Sequence, residues 1–131
     1  MASTYDIAWA AGLFEGEGSI SCYPIKCRVN SIRTDVSLAS TDKDVIDKFC
    51  QIVGAGDVKG PREYPRRKPI YYWQVQNFRD CMYVLGQIYD YLGERRKAKA
   101  DEMLEACIPR YLSFYPISTG LHSIDSFDDN L

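Results

Sequence analysis

Trp9-Ala10-Ala11-Gly12-Leu13-Phe14-Glu15-Gly16-Glu17-Gly18-Ser19-Ile20 is the stretch from which the rest of the chain can be read. Its apolar run begins at Ile7 and contains no polar residue as far as Phe14. A helix that is apolar on every side has to be buried on every side. A short chain can hardly bury every face of such a helix near its own N-terminus, so a second copy is the natural partner. Ala8, Ala11 and Gly12 are small, and small residues let two helix backbones approach closely. With Glu15 they make up the expected dimer seam. The run ends in two carboxylates, Glu15 and Glu17, each followed by glycine. That is the end of a helix where the macrodipole disfavours negative charge, so the two acids call for a compensating cation.

The chain has 131 residues, enough for one domain with a modest core. Its 46% hydrophobic and 26% charged residues are the balance of an ordinary soluble globular protein. No apolar run approaches the ~20 residues of a membrane span, and no membrane partner is expected. Met1-Ala2-Ser3-Thr4-Tyr5-Asp6 lacks the basic start and apolar core of a signal peptide. An intracellular location is expected, with cytoplasm, nucleus and organelle not distinguished. The five cysteines (22, 27, 50, 81 and 107) make no Cys-x-x-Cys pair and read as reduced, mostly buried thiols. His122 is the single histidine, which argues against a His-based zinc site or a His-driven triad. No small-molecule organic cofactor is expected.

The net charge of −2 argues mildly against a polyanionic partner, but its distribution argues the other way. Lys59, Arg62, Arg66, Arg67 and Lys68 stand close together against one acid, Glu63. Arg95, Arg96, Lys97 and Lys99 form a second cluster. The acids gather elsewhere, at Asp42, Asp44 and Asp47 and at Asp125, Asp128 and Asp129. A local patch, not net charge, makes an electrostatic footprint.

Taken in order, Ser3 or Thr4 with Asp6 reads as a helix start, and the helix is expected from about Tyr5 to Glu15. Ser19 to Lys26 and Arg33 to Ser40 alternate as strands, joined by a turn near Val29-Asn30-Ser31. Pro24 points to an edge or a bulge. Thr41-Asp42-Lys43-Asp44 reads as a capping box for a helix with Val45, Ile46, Phe49, Ile52 and Val53 inward, ending at Gly54 and Gly56. Asp57-Val58-Lys59 opens a third strand that Pro61, Pro65 and Pro69 should interrupt. Ile70 to Gln76 is the clearest strand in the chain. Asn77 with Asp80 caps a third helix, with Phe78, Met82, Leu85, Ile88, Tyr89 and Leu92 on its buried face. A last helix is expected from Glu94 to about Cys107, stopped by Pro109. The domain is read as residues 1–109, and 110–131 as an irregular acidic arm.

The order predicts an α+β fold, a four-stranded, mostly antiparallel sheet with helices on one face. The other face would carry Ser19, Ser21, Tyr23, Arg33, Ser37, Lys59, Tyr72, Gln74 and Gln76, with Arg28 as a further cation. Such donors and acceptors read base edges, while the flanking Arg62, Arg66, Arg67 and Lys68 suit phosphates. A polar open face can also be polar for solvation alone.

Ala10-Ala11-Gly12-Leu13-Phe14-Glu15-Gly16-Glu17-Gly18 closely resembles the nine-residue motif of the LAGLIDADG homing endonucleases. The element order resembles that family's αββαββα domain over roughly residues 4 to 107. A single motif resembles the homodimeric members, whose motif helices cross at the two-fold axis. The resemblance implies a site-specific double-strand DNA endonuclease acting on a near-palindromic site and leaving 3′ overhangs. It implies that Glu17 binds a divalent metal, with the Gly16 carbonyl beside it and Glu15 structural. It places Ser40 where a polar residue orders water, and Arg96 or Lys97 near the scissile phosphate. This chain has glutamate where the family often has aspartate, one methylene longer.

The chemistry stands beside the resemblance. Mg²⁺ prefers oxygen ligands and is held by one or two carboxylates plus phosphate oxygens; Mn²⁺ or Ca²⁺ can substitute. Two copies of Glu17 at a two-fold axis would face two scissile phosphates for metal-assisted in-line hydrolysis. Two other readings remain open at this point. One is a non-catalytic DNA-binding protein or intron-RNA maturase on the same scaffold. The other is a protein-interaction module, whose affinity would show little of the salt dependence that phosphate contacts produce.

Overall fold

The computed structural model describes residues 2–24 and 31–114, the last seven of these as helical backbone alone. Arg28, the expected end of the first strand at Lys26, the centre of the first hairpin turn and the arm from 115 onward lie outside the described residues. Four helices and four strands follow one another as α1 (Thr4–Glu17), β1 (Gly18–Pro24), β2 (Ile32–Ser40), α2 (Lys43–Val53), β3 (Asp57–Arg62), β4 (Ile70–Val75), α3 (Phe78–Ile88) and α4 (Glu94–Phe114). A 3-10 turn, Tyr89–Tyr91, links α3 to α4.

α1 starts where the sequence says it should. Ser3 Oγ accepts from the Asp6 N–H, and Asp6 Oδ2 accepts from the Ser3 N–H, a reciprocal capping box. The helix runs to Glu17, two residues past its expected end. An exposed glycine in a last turn costs only about 1 kcal/mol, so Gly16 does not stop it. Gly18 does. Its backbone is extended, at φ −78°, and a Cβ there would lie 2.4 Å from the Phe14 ring. Glycine is thus needed for the close approach of β1 to Phe14, not for an unusual backbone angle.

The sheet order is β1-β2-β4-β3, antiparallel throughout. One register row crosses all four strands as Ser19, Ser37, Gln74 and Asp57, and the adjacent row of the opposite face as Gly18, Leu38, Trp73 and Val58. Inward residues of the sheet and of all four helices join one core that includes Phe14, Val36, Ile46, Phe49, Trp73, Val84 and Met103. Phe49 meets Trp73 edge-on at 4.7 Å between centroids and Phe14 at 6.3 Å. The indole N–H of Trp73 donates to the Ala55 carbonyl at 2.8 Å, which satisfies the one polar atom of that ring. Buried Thr34 donates to the Gln76 carbonyl at 2.7 Å.

Three local expectations need correction. Asp42, not Thr41, is the N-cap of α2, and its side chain makes no cap bond. Ser40 Oγ instead accepts from the Asp42 N–H at 3.1 Å, so the turn is held from the strand side. β3 continues through Pro61, with a register shift between Lys59 and Arg62, because the edge of a sheet tolerates a residue without an N–H. α4 passes Pro109 and reaches Phe114. A proline removes one donor from the helical ladder but does not by itself end a helix. The caps at Asn77 and Gly54 are as expected. Asn77 accepts from the Asp80 N–H at 2.8 Å, and Gly54 sits at φ 72°, where a side chain would be strained.

Candidate functional site

The acidic end of α1 meets the start of α4. No basic residue lies in the last turn of α1, so its exposed carbonyls and two glutamates need a cation from elsewhere. Arg96 supplies it. Its Nε donates to the Glu15 carbonyl at 2.9 Å, and Nη1 donates to the Gly18 carbonyl. The same Nε lies 3.5 Å from Glu15 Oε2, and the guanidinium stands over the Phe14 ring at 5.7 Å.

Glu15 answers in the other direction. Gly93 is the residue whose carbonyl accepts the first helical bond of α4, from Lys97. In a capping box the third helical residue would accept from that cap's N–H. Here the third residue is Arg96, which has no acceptor. The Glu15 carboxylate takes the role, accepting from the Gly93 N–H at 2.7 Å. An anion at the N-terminus of α4 and a cation at the C-terminus of α1 therefore suit both helix dipoles at once. This pairing spans nearly eighty positions, and no local sequence signal announces it.

Glu17 is different. It is exposed and has no hydrogen-bond or ion-pair partner among the described residues. Gly16 beside it is exposed, with open space where a Cβ would be. Gly18 pairs with Leu38, so Ser40, two residues further along β2, stands at the same end of the sheet as the acidic turn. Among the described residues no three His, Cys, Asp or Glu side chains come together to hold a metal. One chain thus offers a free carboxylate and a neighbouring carbonyl, a partial set of hard oxygen ligands. That set suits a hydrated Mg²⁺-like ion that takes its remaining ligands from water, phosphate and a second chain. Lys97, the other basic candidate, is half-buried with Nζ 5.3 Å from the Tyr89 ring.

The seam residues are only partly available to a partner. Gly12 is exposed and Ala8 half-buried, but Ala11 is fully enclosed by its own core. The outer stripe of α1 is Tyr5, Ala8 and Gly12, with Tyr5 88% exposed, while Trp9 and Leu13 are half-buried against the core. α1 is thus buried on one side by its own domain.

The outer sheet face begins one residue past Gly18. Ser19, Tyr23, Arg33, Lys59 and Gln76 are exposed, and Ser21, Ser37, Tyr72 and Gln74 are half-exposed. Arg62, Arg66, Arg67 and Lys68 are exposed on β3 and the connection to β4. The Arg62 guanidinium stacks on the Tyr72 ring at 4.7 Å, and the Tyr64 and Tyr72 hydroxyls lie 3.4 Å apart. The hydrogen bond with Tyr72, aided by Arg62, lowers the pKa of Tyr64, while the same bond raises that of Tyr72. Two contributors to this face are absent from the candidates that the sequence suggests. Tyr64 reaches it from the loop. Asp35, which alternates onto the same side of β2, is bound by Gln74 Nε2 at 2.7 Å, so the Gln74 amide is held in one orientation.

No protein-family model and no curated protein matches the chain. Solved structures do. The homing endonuclease I-CvuI, crystallised with its target in the presence of Ca, superposes with a TM-score of 0.63 over 79% of this chain and 68% of its own, at 19% identity. I-CeuI, a group I intron-encoded homing endonuclease complexed with DNA, gives 0.64 over 88% and 60%, at 13% identity. I-SmaMI, a LAGLIDADG homing endonuclease bound to cleaved DNA, gives 0.60 over 92% and 41%, at 19% identity. The fold is that of the LAGLIDADG homing endonucleases. Within it, α1 carries the stretch that resembles the LAGLIDADG motif, and the polar surface described above is the sheet face turned away from the helices. No helix among the described residues is long and apolar enough to cross a membrane.

Proposed function

We propose that this LAGLIDADG-fold chain is a site-specific double-strand DNA endonuclease that works as a homodimer on a near-palindromic site. The observation that carries the reading is the position of Glu17. An unpartnered carboxylate ends the motif helix directly before a polar sheet face flanked by five exposed cations, Lys59, Arg62, Arg66, Arg67 and Lys68. An acid with no partner at the unfavourable end of a helix dipole is explained if it serves a cation outside the chain.

In this reading Arg62, Arg66, Arg67 and Lys68 contact phosphates and set the protein on the duplex. Ser19, Ser21, Ser37, Gln74 and Gln76 meet base edges in the major groove. Gln74, held by Asp35, presents a fixed amide and is suited to a single base. The exposed stripe of α1 around Gly12 meets the same stripe of a second copy, bringing two Glu17 side chains to one axis. Glu17 and the Gly16 carbonyl would hold a divalent ion, Mg²⁺ in the cell. When bound, that ion lowers the pKa of water and offsets charge on the leaving oxygen. In this reading Ser40 would orient water at that end of the sheet, and Lys97 would supply a cation for the phosphate. The DNA- or calcium-containing structures of I-CvuI, I-CeuI and I-SmaMI support the substrate class.

The test works on a target of any sequence. A random duplex pool is incubated with the protein and Mg²⁺, and cut ends are sequenced. One enriched, near-palindromic sequence cut on both strands is expected. A pool left intact but selectively retained would give the scaffold a DNA-binding function alone, and tight retention of intron RNA in place of the duplex would give it a maturase function; either overturns the nuclease reading.

A further inference from the structure

We infer that Arg96 is a positioning residue that clamps the backbone on both sides of Glu17, and that it does not contact the scissile phosphate. The inference rests on the metal role proposed for Glu17. Its warrant is the pair of carbonyls that Arg96 bonds. They belong to Glu15 and Gly18, which bracket Gly16 and Glu17. Two N–H groups of one rigid fork therefore fix the short segment from which Glu17 projects. The side chain is 11% exposed, with its Nε and Nη1 already engaged and one face over Phe14. A guanidinium in that state has little surface left for a phosphate.

Burial supplies the second part of the argument. A buried cation must be paired and hydrogen-bonded, or its desolvation is not offset. Arg96 meets this condition wholly within its own chain, through two carbonyls, the Glu15 carboxylate and an aromatic face. Turning outward to a phosphate would strip the C-terminal carbonyls of α1 and the Glu15 carboxylate of their cation. Lysine cannot replace it, because a single ammonium on a flexible tether cannot span both carbonyls with the same geometry. The role is thus specific to the fork, whereas the salt-dependent part of a phosphate contact needs only a positive charge and is kept by lysine.

The two roles part in measurement. Arg96→Lys and Arg96→Met are compared with the unaltered protein on its selected duplex. DNA affinity is measured across salt with Ca²⁺, and cleavage across Mg²⁺. Loss of a group that orients a metal ligand weakens metal affinity about 10–100-fold. Both variants should raise the half-saturating Mg²⁺ by at least about tenfold. Lysine should rescue no better than methionine, and the salt dependence of binding should stay unchanged. A phosphate contact would instead lower the log–log slope by about 0.9 per chain in the methionine variant, with lysine restoring it. That result overturns the inference.

If the variants do not fold, the unaltered protein still decides. The Arg96 Nε–H should appear in nitrogen-resolved NMR as a slowly exchanging proton without DNA, and should not shift on adding it. Rapid exchange, or a large shift with DNA, overturns the inference. This arm separates the two proposals, since a protein that cuts no DNA can still show a protected Arg96.

Discussion

The two acids of the motif helix should behave in opposite ways when removed, and their effects on stability can be worked from the contacts. Glu15→Ala deletes the carboxylate that accepts from the Gly93 N–H at 2.7 Å, a distance in the charge-assisted range. Such bonds contribute about 1.5–3 kcal/mol net. The side chain is 40% exposed, so the lower end, about 1.5 kcal/mol, applies. The 3.5 Å ion pair with Arg96 adds a few tenths at that exposure. Against these stands the relief of one anion at a helix C-terminus, about 0.3–1 kcal/mol. The net loss is about 1 kcal/mol, or roughly 3–6 °C in Tm for a domain of this size. Glu17→Ala loses no contact and keeps only the relief, so its Tm should match or exceed that of the unaltered protein by up to about 6 °C. Thermal unfolding by circular dichroism, without metal or DNA, reads both. A Glu15→Ala variant that melts with the parent, or a Glu17→Ala variant that melts below it, refutes the division between a structural and a free acid.

Other consequences follow from single positions. Gly56 has φ 94°, and a Cβ there would sit 2.4 Å from Trp73 Nε1 and 2.9 Å from Val75 Cγ1, both in the core. Gly56→Ala should cost about 2–4 kcal/mol in urea unfolding, and a loss under about 1 kcal/mol would show that the turn adjusts freely. Burial pushes the Cys81 thiol up from 9.0 to about 11. The unfolded thiol ionises first, so its contribution is complete below about pH 9 and fades as pH rises to about 11, by roughly 2–3 kcal/mol. Stability of Cys81→Ala should lack that part of the alkaline decline, and parallel curves would contradict the buried-thiol account. Arg66 holds φ 63° in a tight turn closed by the Arg67 N–H on the Tyr64 carbonyl at 3.3 Å. A side chain costs about 1–2 kcal/mol in that region, so Arg66→Gly should keep or slightly raise stability. It should also weaken DNA binding and flatten its salt slope by about 0.9 per chain, and unchanged DNA binding would remove Arg66 from the interface.

Much of the fold was legible because its signals are local. Alternation in Ile70 to Gln76 set both the Trp73 core position and the Tyr72–Gln74–Gln76 outer face. Asn77 and Ser3 mark helix starts through bonds that reach only three residues. What stayed hidden depends on contacts distant in sequence. The cation that the two acids demanded was legible as a need, but its first supplier, Arg96, lies on another helix. The resemblance alone separated Glu15 from Glu17; the physical difference is that the Glu15 carboxylate accepts from the Gly93 N–H, for which α4 has no acceptor of its own. The apolar run of α1 showed that more than one side wanted cover. It could not show that Ala11 faces the domain's own core while Gly12 faces away. Pro109 misled because a proline's local cost was weighed without the helix around it.

The proposed function gives Glu17 a catalytic metal and Glu15 none. Its most direct test is Glu17→Gln on the duplex selected by the unaltered protein, with binding and cleavage read from the same samples. The variant should bind that duplex with Ca²⁺ or Mg²⁺ within about threefold of the parent, since an amide keeps the size of the side chain. Its cleavage should fall by about a hundred- to a thousandfold, the scale of loss when one transition-state charge stabiliser is removed. Cleavage by Glu17→Gln at the parental rate would contradict the assignment of this residue and the account built on it.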